Sequence, residues 1–205
     1  MSVSRQLLPV LLSEKKNAVK GGIYNKMQVD FAYNSNRIEG NCLTYEQTRY
    51  IFETHTIGGT ASVNDVFEAA NHFRCFDYIL DTIDEPISEK LIKELHRKLK
   101  SGIITDDDSA VVGDYKKYPN TVGEITTTLP EEVSGAVRAL IEEFSHRNAV
   151  DMYDVAEFHA EFEKIHPFYD GNGRIGRLLT LKMCLQNNIV PFIISDQMKL
   201  FTMQG

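Results

Sequence analysis

Apolar side chains recur every three to four residues along most of this chain, which is the spacing of one face of an α-helix. Residues typical of helix starts precede five of these periodic stretches. The predicted starts are Thr44, whose capping box is completed by Gln47, then Asn64, Ser88, Pro130 and Asp151. The second, third and fifth of these helices extend to about Leu80, Leu99 and Ile165. The pattern predicts an all-α protein.

The apolar stripe of a helix identifies candidate core residues, because side chains three and four positions apart share a face. The stripe that follows Asn64 comprises Val66, Ala69, Ala70, Phe73, Phe76 and Ile79. The stripes that follow Pro130 and Asp151 comprise Val133, Val137, Leu140, Ile141 and Phe144, and then Met152, Val155, Phe158, Phe162 and Ile165. We expect these side chains to face inward.

Residues 111–129 interrupt the helical period. Gly113, Pro119, Asn120 and Gly123 break regular elements, and the β-branched run that starts at residue 125 favours extended structure. The pattern predicts an exposed β-hairpin on the helical body, with an irregular surface loop as the alternative.

Composition places the chain among globular proteins of one domain. It has 205 residues, 42% of them hydrophobic, so a single domain over residues 1–205 can bury a substantial core. No window reaches the roughly 20 apolar residues of a membrane span, and the start lacks a secretory signal, so we expect a cytoplasmic protein without a membrane partner. The cysteines Cys42, Cys75 and Cys184 are far apart, which predicts buried thiols rather than disulfides or a zinc site.

The formal net charge of −7 argues against binding to DNA or RNA, because attraction to phosphates needs clustered Lys and Arg. Two short basic pairs stand out, Lys15 with Lys16 and Lys116 with Lys117. We expect both pairs to lie on the solvated surface.

Residues 166–177 carry the candidate chemistry. Pro167 disfavours the α conformation for the residue before it, so the preceding helix is expected to end at His166 and to place the imidazole on a turn. Residues 171–173, Gly-Asn-Gly, allow left-handed backbone angles and close approach of another group. A further helix is predicted from about residue 174 to residue 186.

Two arginines, Arg174 and Arg177, project from one side of the first turn of that helix. Positive charge is unfavourable at a helix N-terminus, so a negative group is expected to compensate. The N–H groups of residues 171–173 and two guanidinium groups together suit a polyphosphate better than one carboxylate. Asp170 adds an oxygen ligand for Mg²⁺. His166 is the candidate general base, because imidazole titrates near neutral pH.

Residues 166–177 read His-Pro-Phe-Tyr-Asp-Gly-Asn-Gly-Arg-Ile-Gly-Arg and fill every defined position of the signature His-x-Phe-x-Asp/Glu-Gly-Asn-Gly-Arg-x-x-Arg. In this the chain resembles the Fic (filamentation induced by cAMP) family, and the likeness extends from about Tyr33 to Asn188. The resemblance implies a compact helical bundle with a small β-hairpin flap. It also implies a nucleotidyltransferase, a protein adenylyltransferase that moves AMP from ATP to a Ser, Thr or Tyr hydroxyl of a target protein and releases pyrophosphate.

The resemblance implies a role for each residue of the motif. By that likeness His166 takes the hydroxyl proton, Asp170 holds Mg²⁺ and Phe168 is a core anchor. The implied nucleotide-binding residues are Gly171, Asn172 and Gly173 around the α- and β-phosphates, and Arg174 and Arg177 around the rest of the triphosphate.

A second motif precedes the first in the chain. Ser35 and Glu39 are four residues apart on one predicted helix face, which by itself is typical of a capped surface helix. The segment is also similar to the family's inhibitory motif, Ser/Thr-x-x-x-Glu-Gly/Asn, which implies an inhibitory helix near residues 27–40. By that likeness Glu39 pairs with Arg177 and blocks productive ATP binding. In the alternative, Glu39 orients a water molecule that removes AMP from a modified protein.

The flap implied by the family corresponds to residues 113–128, whose main chain is expected to align a target segment by strand addition. The predicted register residues are Val122, Gly123, Glu124, Ile125, Thr126 and Thr127. The identity of the target stays open, the protein itself included, and so does homo-oligomer formation. Two further alternatives are transfer of another group, such as UMP or phosphocholine, by the same site, and a regulatory nucleotide-binding module.

Overall fold

The computed structural model describes residues 4–105, 111–123, 125–147 and 149–195, with the backbone alone at residues 4–6 and 125. The helices of this part are α1 (Ser4–Lys16), α2 (Ile23–Ile38), α3 (Tyr45–Thr54), α4 (Val63–Asp81), α5 (Glu89–Leu99), α6 (Pro130–Ser145), α7 (Met152–Ile165) and α8 (Asn172–Gln186). One antiparallel hairpin, β1 (Thr121–Val122) and β2 (Ile125–Thr126), lies between α5 and α6. The all-α class with a small hairpin is confirmed. Within these ranges no helix combines the length and hydrophobicity that crossing a bilayer requires.

Helix α8 lies at the centre of the fold. It packs most extensively against α7, and also against α2, α4 and α5. Every residue from 174 to 185 is buried, which accounts for the densely apolar sequence of α8, because a surrounded helix has no solvent face. The first two turns of α8 carry the motif arginines, so these arginines lie on a helix that is packed against four others.

Local signals set four of the five predicted helix starts, which are confirmed. The Thr44 hydroxyl accepts the Gln47 N–H at 3.1 Å, and Gln47 Oε1 accepts the Thr44 N–H at 3.0 Å. Ser88 and Asp151 cap α5 and α7 with their side chains, and Pro130 is the first residue of α6. Such bonds satisfy N–H groups that every helix start leaves unpaired, so neighbouring residues suffice to specify them.

The predicted start of α4 is wrong. Helix α4 begins at Val63, and Asn64 lies inside its first turn. The Asn64 side chain instead pairs with the backbone of Ile104, donating to its carbonyl at 2.8 Å and accepting its N–H at 2.9 Å. The side-chain amide of Asn64, which the local pattern predicts to cap α4, thus bonds a partner 40 residues away instead.

Most predicted core residues are buried, with Val66, Ala70 and Ile141 partly so. Met152 is an exception at 41% exposed, because it is the first residue of α7, where the helix end is open to solvent. Cys75 and Cys184 are buried thiols as predicted, whereas Cys42 is exposed in the connection after α2.

The expectation for the second basic pair is half wrong. Lys117 is exposed, but Lys116 is only 3% exposed. Lys116 is held inside by hydrogen bonds from its Nζ to Asn120 and Thr127, so the pair does not form one solvated patch.

Candidate active site

His166 ends α7 in the left-handed region, with φ 51° and ψ 61°, outside the right-handed α conformation that the following Pro167 disfavours. Its Nδ1 lies 3.3 Å from the carbonyl oxygen of Glu163. Because a carbonyl only accepts, Nδ1 carries the proton and Nε2 keeps a lone pair. Burial lowers the pKa of His166 below its usual value, which favours the neutral form. The ring is therefore in the protonation state that a general base needs.

The side chain of Asn172 closes the loop that follows His166. Its Oδ1 accepts the N–H of Phe168 at 2.8 Å, and its Nδ2 donates to the Phe168 carbonyl at 2.9 Å. Phe168 is fully buried and stacks on His96 with ring centroids 3.9 Å apart, in agreement with a core anchor. The Asn172 side chain thus positions the loop. An anion would contact the backbone N–H of this residue rather than its side-chain amide, which is already bonded to Phe168.

No sequence motif marks His96, yet it joins three parts of the site. Its Nδ1 accepts the N–H of Gly113 at 2.9 Å, so Nε2 carries the proton and donates to the carbonyl of Asp170 at 3.1 Å. Burial lowers the pKa of His96 to about 4, which keeps this neutral tautomer. A single imidazole on α5 therefore fixes both the catalytic loop and the start of the flap segment.

The N-terminus of α8 forms an anion site that Glu39 occupies. Gly171 precedes the helix at φ +86°, a left-handed angle that glycine adopts without strain. Helix α8 begins at Asn172, two residues before the predicted start, so Gly173 lies in its first turn. A Cβ added to Gly173 would lie 2.4 Å from Oε1 of Glu39. The carboxylate therefore lies against the positive end of the helix, where an anion is favoured.

Arg177 is held by oxygens from the end of α2. Its Nη2 donates to Glu39 Oε1 at 2.6 Å and to the Ser35 carbonyl at 3.0 Å, and its Nε donates to the Ser35 hydroxyl at 2.9 Å. The side chains of Arg177 and Glu39 are 9% and 25% exposed, so the pair is largely desolvated and charge-assisted. The helix that brings them together is α2, with Glu39 as its C-cap, and it begins four residues before the predicted segment near 27–40.

Arg174 has carboxylate partners of its own. Its Nη1 donates to Glu68 at 2.6 Å, and its Nη2 lies 3.4 Å from Asp170 Oδ2. Its side chain is only 2% exposed. Together with Glu39, these acids supply the negative charge that two arginines at a helix start require.

Asp170 lies among positive groups. Its Oδ2 accepts from Nζ of Lys100 at 2.5 Å, and its Oδ1 accepts the N–H of Gly171 at 2.6 Å. Burial alone would raise the pKa of Asp170, but the charges of Arg174 and Lys100 lower it below its usual value. The carboxylate is therefore ionised, and its side chain is 50% exposed.

This donor set fits a Mg²⁺ ion that arrives with a nucleotide. Mg²⁺ is commonly held by one or two carboxylates, with substrate phosphates and water as the other ligands. No group of three or more His, Cys, Asp or Glu side chains among the described residues is arranged to hold a metal alone. Asp170 would be the protein ligand, and Lys100 would have to release Oδ2.

The flap hairpin pairs Thr121 with Thr126 and Val122 with Ile125. Gly123 forms its turn at φ +59°, and Glu124 lies outside the described residues. Thr127 is only 7% exposed, and its N–H donates to the Asn120 carbonyl at 3.3 Å. Thr127 therefore anchors the base of the flap, and its N–H is already engaged within the protein.

Four residues that shape this site lie outside its motifs: Glu68, His96, Lys100 and Lys116. His96 and Lys100 are four positions apart on α5 and share a face, which is a local signal, although an unspecific one. Glu68 meets Arg174 across 106 residues of chain, and no spacing rule predicts such a pair.

Comparison with known proteins agrees with this geometry. A family model, Fic/DOC, matches residues 86–184. The chain is 29% identical over 176 residues to the protein adenylyltransferase Fic of Drosophila grimshawi, covering 82% of this chain and 35% of that protein. The protein of the same name from Nematostella vectensis is 27% identical over 188 residues, covering 89% and 42%. The chain thus spans about a third to two fifths of the length of these curated relatives.

The fold of this chain is also similar to that of a solved structure. A Fic-domain-containing signaling protein from Bacteroides thetaiotaomicron superposes with a TM-score of 0.78 at 28% identity, covering 96% of this chain and 79% of that one. The range matched by the Fic/DOC model contains the whole loop from His166 to Arg177. In sequence over residues 86–184 and in fold over most of its length, this chain is therefore similar to Fic domains.

Proposed function

We propose that this chain is a protein adenylyltransferase that transfers AMP from ATP to a Ser, Thr or Tyr hydroxyl of a target protein. The hydroxyl oxygen forms a bond to the α-phosphorus while the bond from that phosphorus to the α–β bridging oxygen breaks. Pyrophosphate leaves with the electron pair, and the hydroxyl proton passes to Nε2 of His166. The name of the curated relatives supports this reaction for the matched region.

The observation that carries the proposal is the free Nε2 of a neutral His166 in the loop that leads into the anion site of α8. The hydrogen bond from Nδ1 to the Glu163 carbonyl fixes both the ring and its tautomer. A binding module would need the anion site but no base. An oriented base beside a polyphosphate site instead favours transfer to a hydroxyl.

The first turn of α8 supplies most of the charge that a triphosphate needs. Its backbone N–H groups face outward, and Arg177 and Arg174 lie on its side. Asp170 is the ligand for Mg²⁺, which neutralises charge on the phosphates when it is bound. Glu68 binds Arg174, and Glu39 binds Arg177. Because only Glu39 has to leave in this proposal, we expect the contact between the nucleotide and Arg177 to be the one that Glu39 controls.

The same geometry supports autoinhibition by Glu39. Its carboxylate lies beside Gly173 and holds Arg177 at 2.6 Å, so a phosphate oxygen there would meet a negative charge and find the guanidinium engaged. The pair is largely desolvated, which makes the contact strong. We expect low activity while Glu39 stays in place, and higher activity when it is removed.

The target hydroxyl reaches His166, in this proposal, by pairing of an extended segment with the hairpin edge formed by residues 122–126. Main-chain pairing of this kind aligns a segment without demanding a particular side chain. Self-modification and modification of other proteins are both consistent with such docking.

The test is intact-protein mass spectrometry after incubation with ATP, Mg²⁺ and a cell extract. The parent protein, Glu39→Gly and the double variant Glu39→Gly/His166→Ala are compared. We expect an AMP-sized adduct, on the protein or on an extract protein, with Glu39→Gly, much less with the parent and none with the double variant. Glu39→Gln is a matched control, because it keeps an acceptor oxygen but removes the charge, and it should give an intermediate yield.

Other outcomes separate the alternatives. Equal adduct in the parent and Glu39→Gly would refute the inhibitory role of Glu39. A UMP-sized adduct with UTP, and none with ATP, would establish a different nucleotide. Bound ATP without adduct in any sample would favour a nucleotide-binding module, and loss of AMP from a modified extract protein would favour AMP removal.

A further inference from the structure

Lys116 is a buried lysine at the base of the flap. It is 3% exposed, and its Nζ donates to Asn120 Oδ1 at 2.7 Å and to Thr127 Oγ1 at 2.6 Å. The carbonyl oxygen of Ile165 lies 3.5 Å from the same nitrogen. All three acceptors are neutral, and no carboxylate among the described residues forms an ion pair with Lys116. An ammonium group is thus buried with hydrogen bonds but without a counter-charge from this part of the chain.

Such an arrangement is unfavourable for stability by itself. Burial lowers the pKa of Lys116 to about 8, which expresses the penalty for the charged form. Hydrogen bonds to neutral acceptors offset this penalty only in part, because no counter-charge is present among the described residues. A reason other than packing is therefore needed for a lysine at this position.

The contacts of Lys116 connect the flap with the catalytic loop on both sides of His166. Ile165, whose carbonyl faces Nζ, precedes His166, and the backbone N–H of Lys116 donates to the carbonyl of Pro167, which follows it, at 2.9 Å. Asn120, held by Nζ, donates in turn to the Phe168 carbonyl at 3.2 Å. A single side chain therefore joins the two ends of the hairpin to the turn that presents the imidazole.

The charge of Lys116 also acts on the imidazole. The groups that influence the pKa of His166 are, besides burial and the Glu163 carbonyl, Lys116, Glu39 and Asp170. Lys116 lowers that pKa, whereas the two carboxylates raise it. A Glu39 that leaves the site would take one of the opposing charges with it, so the pKa of His166 would fall further.

We infer that Lys116 is a positioning residue, which clamps the flap to the catalytic loop and helps to hold His166 in the neutral form that accepts a proton. This inference deepens the proposed function, and it rests on that function for the role of His166 as a base. The clamp itself is a structural property that exists whether or not AMP is transferred.

Three variants separate charge, hydrogen bonding and general disturbance. Lys116→Met removes both the charge and the hydrogen bonds, and Lys116→Gln keeps a neutral donor. Lys117→Met is the matched control, because this exposed neighbour carries the same charge outside the clamp. The pKa of His166 is measured by NMR titration of labelled imidazole, assigned with His166→Ala. Hydrogen exchange of the Thr127 backbone amide measures how often the base of the flap opens, because this N–H bonds the Asn120 carbonyl.

We expect a higher His166 pKa in Lys116→Met and in Lys116→Gln, and no change in Lys117→Met. Exchange of the Thr127 amide should be roughly fivefold faster in Lys116→Met, because the loss of a buried hydrogen bond costs about 1 kcal/mol. A His166 pKa and a Thr127 exchange rate equal to those of the parent would overturn the inference. If Lys116→Met does not fold, Lys116→Gln alone decides the effect of the charge.

The activity measurement separates this inference from the proposed function. In the Glu39→Gly background, Lys116→Met should lower AMP transfer and move its loss at acid pH to a higher pH. If no protein transfers AMP, the proposed function fails, while the titration and exchange data still decide whether Lys116 positions the flap and the histidine. If AMP is transferred with the same pH profile in both proteins, Lys116 has no influence on the base.

Discussion

Asp170 is the residue at which the opposing charges of the site meet. Its two oxygens are bound by Lys100 and by the N–H of Gly171, and Arg174 lies next to it. A metal ion that bound Asp170 through Oδ2 would have to displace the ammonium of Lys100 and tolerate a nearby guanidinium. We therefore propose that Lys100 competes with a divalent cation for this carboxylate, which the same positive charges keep ionised.

Replacement of Lys100 tests this competition. The measurement is the Mn²⁺ concentration at which half of the protein has bound Mn²⁺ in the presence of a non-hydrolysable ATP analogue. Lys100→Met is expected to lower this concentration roughly 3–10-fold, because a partly exposed ion pair is worth about 1 kcal/mol. Electron paramagnetic resonance of free Mn²⁺ measures this binding without any turnover. Lys98→Met is the control, since Lys98 pairs with Glu94 on the same helix. Equal Mn²⁺ affinity of Lys100→Met and the parent would exclude competition by Lys100.

At the scale of elements, the close packing of α7 on α8 holds the two motif arginines in place. Gly176 lies in α8 between Arg174 and Arg177, directly against α7. A Cβ added to Gly176 would lie 2.8 Å from both Oε1 of Glu163 and Nδ1 of His159. Such distances leave no room for a methyl group unless the side chains of Glu163 and His159 move. The glycine therefore makes room for these two side chains of α7 against the first turns of α8.

Gly176→Ala is expected to destabilise the protein by about 1–3 kcal/mol through overpacking, although alanine favours a helix over glycine by about 1 kcal/mol. Urea unfolding monitored by circular dichroism measures the change. Gly135→Ala in α6 is the matched control, because an added Cβ there meets no atom within 4 Å. This control should stabilise the protein by about 0.5–1 kcal/mol. A gain of stability in both variants would contradict the tight approach of α7 and α8.

At the scale of the whole molecule, buried neutral histidines couple stability to pH. Burial, with some help from Arg177 and Arg174, lowers the pKa of His72 to about 3. Burial also lowers the pKa of His96 and of His159 to about 4. As pH falls below 6.5, these histidines bind protons in the unfolded chain but stay neutral in the folded protein, so the free energy of unfolding falls. Glu163 opposes this trend, because burial raises its pKa to about 7 and the folded protein binds that proton first.

The variant His72→Phe tests the coupling. Neither ring nitrogen of His72 has a hydrogen-bond partner among the described residues, so phenylalanine loses no bond there. Between about pH 6 and pH 4 the free energy of unfolding should fall less steeply in His72→Phe than in the parent, by up to about 1.4 kcal/mol per pH unit. Urea unfolding at a series of pH values measures both slopes. Parallel curves would mean that His72 titrates normally in the folded protein.

The parts of this protein that the amino-acid sequence alone determined are those governed by neighbouring residues. The starts of α3, α5 and α7 follow from side chains that bond N–H groups within the same turn, and the start of α6 follows from Pro130 at its first position. The end of α7 follows from Pro167. The loop from His166 to Arg177 is recognisable because its motif residues lie within 12 consecutive positions. The spacing of Ser35 and Glu39 likewise placed both on one helix face.

Tertiary structure alone decided which groups meet across the chain. Asn64 bonds Ile104 rather than capping α4, and Lys100 reaches Asp170 across 70 residues. Lys116 is buried while Lys117 is not, although the two are adjacent and alike in chemistry. Burial and ion pairing depend on which elements pack together, and a local pattern carries no information about that. The motif could therefore be found from the sequence, whereas the residues that contact it from elsewhere in the chain could not.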